Sequence, residues 1–364
     1  GSRDCAHYLL TQGNIRFILS SPLSPEHHSA MEIAMYGDGV KDVAFTVFDA
    51  EKAFDKAIKN GATAAPGGEP RTYRDEFGTV TVATIRTYGR CVHSFVSRSG
   101  GYDLTKVKQA GLFMPRFRKL ADGSACEPAR GCAPQAGVTS VLAINEHNKK
   151  HPCGLKYVDH LVGNVELGKM NYWVKWYEDV LEFKMFKHFD DKDISTEYSA
   201  LMSKVMASGN NLIKMPINEP AAGKKKSQVQ EYLDWHCNTP GVQHLALRTD
   251  DELASIAALR GRGVDFLTLP DAYYSKVWDR VNTMLTSHGH TAVKEDHEAV
   301  RKLGILVDAD DEGYLLQLFT KPLQDRPTLF FEIICRRGSQ SFGKGNFKAL
   351  FEALELEQER RGNL

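Results

Sequence analysis

The sequence predicts an α+β fold: two tandem modules sharing one strand–helix–strand pattern, followed by a terminal helix. Three observations lead there. The pattern occurs twice; a stretch rich in Gly, Pro, Ala and charge separates the copies; and an apolar stripe at helical spacing follows two glycines near the C-terminus. With 364 residues and 42% hydrophobic content, the chain can bury two cores.

The first copy starts at Gly39-Val40-Lys41-Asp42-Val43-Ala44-Phe45, a strand, and passes through an amphipathic helix over Ala50 to Lys59 to a stop at Asn60-Gly61. The second starts at Gly241-Val242-Gln243-His244-Leu245-Ala246-Leu247, followed by a helix over Asp251 to Arg262 and then Gly263. Downstream, Gly78 to Ala83 and Gly313 to Leu318 are matching strands, entered from the acidic turns Asp75-Glu76 and Asp310-Asp311-Glu312. Upstream, the stretch before Asn14-Ile15-Arg16-Phe17 matches the one before Leu212-Ile213-Lys214-Met215. The second copy has an extra unit ahead of this point: strand Tyr157 to Gly163, helix Met170 to Leu181 and strand Phe183 to Phe189. Trp173, Trp176, Tyr177, Val180 and Leu181 form the core stripe of that helix. The first copy has no counterpart, and the chain opens on Gly1 inside a strand region, so the first module is expected to be truncated at its N-terminus. The expected division is a first module over residues 1–102, a linker over 103–154 and a second module over 155–364. The last stripe, Phe347, Leu350, Phe351 and Leu354, follows Gly343 and Gly345, and a helix hinged there would cover a pocket.

Charge and cysteine usage exclude several classes. Lys plus Arg and Asp plus Glu both number 46, so no general attraction to nucleic acid or an acidic membrane surface is expected. The short basic run Lys224 to Lys226, between Gly223 and Ser227, reads as a solvated loop. No stretch has the apolar length of a membrane span. The seven cysteines, Cys5, Cys91, Cys126, Cys132, Cys153, Cys237 and Cys335, are scattered without a C-x-x-C pair. That speaks against a disulfide framework or a thiolate zinc site, and a reducing cytoplasm is expected. No nucleophile elbow, Walker loop or dinucleotide fingerprint is present.

Three polar residues interrupt apolar strands. Glu332 lies in Thr328-Leu329-Phe330-Phe331-Glu332-Ile333-Ile334, where an ionised carboxylate needs a cation or several hydrogen bonds. By strand alternation His160 shares a face with Val158 and Val162, and His244 with Val242 and Ala246. Taken singly, a strand histidine is more often a satisfied core residue, and Glu332 has Arg336 and Arg337 nearby as partners. Taken together, two imidazoles and one carboxylate from different strands of one copy are the set that suits a non-haem iron(II) oxygenase. In the first copy Asp42 stands in place of His244, and Cys91-Val92-His93-Ser94-Phe95 offers no acid matching Glu332. The second module is therefore the working one. His288 and His290 fall in a polar loop, His27 and His28 on a surface turn, and His236 at the end of a polar helix over Ser227 to His236.

The chain resembles the 4-hydroxyphenylpyruvate dioxygenase family of the vicinal oxygen chelate superfamily. The resemblance is carried by Gly37 to Asp42, Val158-Asp159-His160-Leu161-Val162-Gly163-Asn164, Lys214 to Pro220, Gly241 to His244, Gly313 to Lys321, Asp325 to Thr328 and Gly343 to Phe347. It runs from Gly1 to Leu364 apart from a longer, divergent linker. It implies paired βαβββ modules forming open β-barrels, with a C-terminal gating helix. It also implies one iron(II) per chain on His160, His244 and Glu332, and a pocket lined by Ser203, Asn218, Gln228 and Gln317 with aromatic walls from Phe319, Phe330 and Phe347. Of these, Ser203, Asn218, Gln228 and Phe347 are expected to serve the reaction itself. Plain core packing is the alternative for the phenylalanines, and a turn role for Asn218. The implied reaction turns 4-hydroxyphenylpyruvate and dioxygen into homogentisate and carbon dioxide in tyrosine catabolism, in a homodimer or larger assembly. The rival readings are a 4-hydroxymandelate synthase-type oxygenase, disfavoured by a phenylalanine rather than a smaller aliphatic residue at position 347, and a non-catalytic small-molecule binder.

Overall fold

The computed structural model of the chain describes residues 4–104, 113–117, 136–189, 200–221, 226–360 and 362. A hairpin of β1 (Cys5–Gln12) and β2 (Ile15–Pro22) leads to α1 (His28–Tyr36). A βαβββ unit follows: β3 (Asp42–Thr46), α2 (Ala50–Lys59), β4 (Arg71–Asp75), β5 (Gly78–Arg86) and β6 (Val92–Gly100). After α3 (Ala136–Lys150) comes a second unit, β7 (Leu155–Asn164), α4 (Met170–Leu181), β8 (Lys184–Phe189), β9 (Ala200–Ala207) and β10 (Lys214–Ala221), then α5 (Gln228–Trp235). The third is β11 (Gly241–Thr249), α6 (Glu252–Arg260), an inserted pair α7 (Asp271–Ser287) and α8 (His297–Leu303), then β12 (Leu306–Asp310), β13 (Gly313–Phe319) and β14 (Phe330–Arg337). A 3₁₀ turn, Lys344–Asn346, opens into α9 (Phe347–Arg360).

The first unit forms a four-stranded sheet, β3-β6-β5-β4, and the other two share an open eight-stranded sheet, β12-β13-β14-β11-β7-β10-β9-β8. Antiparallel pairing of β7 with β11 joins the two halves of that sheet. The repeat seen in the sequence has a physical basis in shared local chemistry. Asp49 and Asp251 each cap their helix by accepting a hydrogen bond from the backbone N–H three residues on, at 3.1 and 3.0 Å. Gly78 and Gly313, at φ +150° and +146°, each enter a strand where a Cβ would collide with a partner-strand carbonyl, of Ser99 and Arg337.

The eight-stranded sheet has two different faces. On its outer face, Leu161, Met206, Ile217, Val242 and Leu245 join α4 and the four-stranded sheet in one apolar cluster. Beside it, Leu247, Ile333 and Cys335 pack under α6, α7 and α8. The inner face is covered by α5 through Val229, Tyr232 and Leu233, and by α9 through Ala349, Ala353 and Leu354. Two sheets sharing one cluster means that the units on either side of residues 103–154 are not separately cored.

Local structure departs from the sequence expectation in places. His27 is the cap of α1, its Nδ1 accepting from Ser29 N at 3.2 Å, so the stretch read as a surface turn begins a helix. Part of the stretch read as linker is α3. Of the basic run, Lys226 pairs with Asp234 at 2.6 Å, while Lys224 and Lys225 lie outside the described residues, as do Cys126 and Cys132. The side chains of Leu350 and Phe351 likewise fall outside them.

Candidate metal centre

Register brings three polar side chains to one point. Ala246 of β11 lies opposite His160 on β7 and opposite Glu332 on β14, and His244 is two residues along the same face. All three project from the inner face and are buried: 4% exposed for His160, 8% for His244 and 2% for Glu332. Glu332 Oε2 is 3.2 Å from His160 Nε2 and 3.4 Å from His244 Nε2. One donor atom from each lies within 4.8 Å of the others, which makes this the candidate metal cluster among the described residues.

Simple alternation, which put Val158 and Val242 on the histidine face, is broken by two β-bulges. Pairing skips Asp159 between Ala246–His160 and Leu247–Val158, and skips Gln243 between Val242–Gly163 and His244–Val162. Val158 and Val242 therefore turn to the outer clusters. The residue before each histidine turns inward instead. Asp159 Oδ1 and Gln243 Oε1 each accept a hydrogen bond from the Nδ1 of the following histidine, both at 2.9 Å. Nδ1 of each ring is thus committed to its neighbour, and both Nε2 atoms face Glu332. Gln243 Nε2 donates in turn to Gln228 Oε1 at 3.2 Å, and Arg336 donates to both Asp159 oxygens at 2.9 and 2.7 Å. Neither Arg336 nor Arg337 neutralises Glu332: the first serves Asp159, the second pairs with Glu295.

Electrostatics match a cation site. Burial pushes the Glu332 carboxyl up, but the charge and hydrogen bond of His160 and the hydrogen bond of His244 pull it down further, to about 2. Burial alone would lower His160, yet Glu332 and then Asp159 raise it, whereas burial dominates at His244 and lowers it.

A cleft with mostly apolar walls and a few polar groups opens from the three residues, the usual character of a small-molecule site. Of the residues expected to line it, Ser203, Asn218, Gln228, Phe319, Phe330 and Phe347 do so. Gln317 is not among its lining residues; it is 1% exposed on β13, packed where Gly343 would carry a Cβ. Ser203 and Asn218 face each other across β9 and β10. Phe330 stacks on the His244 ring at 4.9 Å and 22°, and Phe347 meets Phe189 edge-on at 5.3 Å. Sequence reasoning missed Gln243, Phe189 and Phe342, the last edge-on to His160 at 4.9 Å. Gln243 had a signal, adjacency to a strand histidine; the two phenylalanines are placed by tertiary packing alone. The residues around the other histidines form no such group: His288 and His290 bond backbone carbonyls at an exposed turn, and His236 engages Thr239.

In the four-stranded sheet the parallel pair β3–β6 matches β11–β14 in register, placing Asp42 where His244 stands and Ser94 where Glu332 stands. Asp42 accepts hydrogen bonds from Ser94 N at 3.1 Å and Ser94 Oγ at 2.6 Å, so these two positions satisfy each other.

Comparison with known proteins adds relatives. A family model described as the Glyoxalase/Bleomycin resistance protein/Dioxygenase superfamily matches residues 158–318. The 4-hydroxyphenylpyruvate dioxygenase of Tetrahymena thermophila is 43% identical over 369 residues, covering 100% of this chain and 83% of that protein. That of Dictyostelium discoideum is 43% identical over 367 residues, covering 100% and 90%. Among solved structures, a triple variant of 4-hydroxymandelate synthase from Streptomyces coelicolor superposes with a TM-score of 0.73 at 25% identity, over 98% of this chain and 88% of that one.

Proposed function

The chain belongs to the 4-hydroxyphenylpyruvate dioxygenase family, and from that premise we propose that it converts 4-hydroxyphenylpyruvate and dioxygen to homogentisate and carbon dioxide with one iron(II) held by His160, His244 and Glu332. The donor set supports this: two imidazoles and one carboxylate, all lining the cleft, would hold a divalent ion and leave it room for other ligands. When bound, the iron supplies the positive charge and redox chemistry that dioxygen activation and decarboxylation need.

The observation that carries the reading is the charge of the cleft. Its polar lining beyond the three ligands is Ser203, Asn218, Gln228 and Gln243, all neutral, and among the described residues no Lys or Arg lines it. A 2-oxo acid carries one negative charge that apolar walls alone would strongly disfavour. A divalent ion beside the Glu332 anion leaves one net positive charge, which matches that substrate. The protein's part is to bind and orient. Ser203, Asn218 and Gln228 offer hydrogen bonds to the phenol end and its carbonyl groups, Phe319 and Phe330 flank the ring, and Phe347 limits how the ring can turn. With Phe189, Leu201 and Phe342 these rings keep water out. Gln317 acts from behind Gly343, bracing the base of α9.

In the same reading residues 155–364 are the catalytic module, 1–102 the structural one and 103–154 the connection, with cytoplasmic action and a homodimer or larger assembly. Among the described residues no helix is long and apolar enough to cross a membrane. The test is oxygen uptake that depends on added iron(II) and 4-hydroxyphenylpyruvate, with product identification. Homogentisate is expected; 4-hydroxymandelate would move the chain to the rival oxygenase, and no uptake would make it a binder.

A further inference from the structure

We infer that Asp159 and Arg336 form a positioning pair for the metal centre, with Arg336 clamping Asp159 so that its carboxylate holds the His160 ring with Nε2 turned into the cleft. The inference rests on the metal role proposed for His160 and concerns two residues outside that ligand set.

Four observations carry it. Asp159 reaches the inner face only because of the β-bulge, since a regular strand would point it outward with Leu161 into the apolar cluster. It accepts from His160 Nδ1 at 2.9 Å while Arg336 donates to the same carboxylate through Nε and Nη2, a bidentate fork with both side chains 5% exposed. Arg336 stands four residues after Glu332 on β14, on the same face, so one guanidinium ties the strand of one ligand to the strand of another. Its Nη1 donates to the carbonyls of Ser339 and Ser341, fixing the turn that delivers Phe342 against the His160 ring.

A buried ion pair is a poor device for stability, because desolvating both charges costs as much as their attraction returns, and an apolar pair of the same volume would serve as well. What the pair does supply is orientation and charge. A carboxylate on Nδ1 fixes the tautomer and makes Nε2 a stronger donor. The guanidinium cancels that carboxylate, so the net charge of the loaded site stays available for an anionic substrate. His244 has a different arrangement, a neutral amide, Gln243, held by Gln228.

The test uses the metal-free full chain titrated with cobalt(II), read by absorbance and without turnover, beside the thermal midpoint of the metal-free protein. Asp159→Ala is expected to weaken cobalt binding about 10- to 100-fold, and Asp159→Asn, which keeps an oxygen facing Nδ1, to recover most of it. A purely structural role would move the thermal midpoint and leave the affinity of the folded protein unchanged. Where Asp159→Ala gives no folded protein, Arg336→Lys decides: it keeps the charge and removes the fork, and weaker binding is expected. Unchanged cobalt affinity in the folded variants overturns the positioning pair alone. No binding by the unaltered chain overturns the metal reading, and this inference with it.

Discussion

Glu332 is enclosed by Phe330, Phe319, Ala246 and two imidazoles, and among the described residues its hydrogen-bonding partners are His160 and His244. Glu332→Ala removes the one anion of the proposed ligand set. The expected outcome is loss of turnover to background and iron(II) binding weakened by at least about 100-fold, given that second-layer changes alone cost 10- to 100-fold. Oxygen uptake and metal analysis check it, and a variant with normal activity would rule out the assignment. His93 gives a prediction of another kind. Its Nδ1 donates to Val43 O at 3.2 Å and its Nε2 accepts from Tyr177 Oη at 2.7 Å, in the cluster joining the two sheets. Burial lowers it from 6.5 to about 4. The unfolded chain then binds more protons than the folded one between those values, so stability is whole above pH 6.5 and falls as pH drops toward 4. The gap corresponds to roughly 3 kcal/mol. Urea unfolding at pH 7 and pH 4 should differ by about that amount more in the unaltered chain than in His93→Gln. Equal pH dependence in the two would assign the acid sensitivity elsewhere.

At the scale of elements, α9 closes the inner face over the cleft. Its entrance is held by Gly345 N donating to Asp308 Oδ2 at 2.8 Å, by Arg280 on Asp308, and by Tyr273 Oη donating to Asn346 Oδ1 at 2.7 Å. Gly343 has φ +76°, and a Cβ there would run into the Gln317 amide. In Gly343→Ala, left-handed backbone costs about 1–2 kcal/mol, and α9 must reseat or Gln317 must shift. Phe347 follows four residues later, so kcat/KM for 4-hydroxyphenylpyruvate is expected to fall about tenfold, a loss worth about 1.4 kcal/mol, with faster proteolysis of α9. Unchanged kinetics and unchanged cleavage would show that the hinge does not control the cleft. The helices α2 and α4 are legible in the sequence to the residue, because each has a strong apolar stripe and a polar opposite face. Less of α7 is legible: its buried face is the thin row Tyr274, Val277, Val281 and Leu285, interleaved with Asp279, Arg280 and Asn282. The stretch holding α3 carries weak periodicity, and no apolar stripe marks it.

At the scale of the molecule, Phe45, Phe54, Ile85 and Phe95 of the first unit share one cluster with Val174, Tyr177 and Met206 of the second and Leu245 of the third. Unfolding by denaturant should therefore be a single transition, by far-ultraviolet circular dichroism and tryptophan fluorescence alike; two separated transitions would show independent modules. If iron(II) or cobalt(II) binds as proposed, and to the folded state only, then at 100 times the dissociation constant it should stabilise by about 2.7 kcal/mol. Glu332→Ala should lose that increment, and a chelator should reverse it in the unaltered chain.

Residue type and spacing determined the repeat, the strands that carry His160, His244 and Glu332, and the contrast between a copy with those residues and a copy with Asp42 and no matching acid. Those features are local: apolar period, capping aspartates and glycine stops act within a few residues of chain. Tertiary structure decided what depends on partners far away in sequence. Two bulges set which way Asp159 and Gln243 face, because each arises from the mismatch between β7 and β11 rather than from either strand alone. The Asp159–Arg336 pair spans 177 residues, and Phe342 and Phe189 become walls only when α5 and α9 close the inner face. Strand alternation has no term for a register shift, so only the paired sheet reveals which side chains meet.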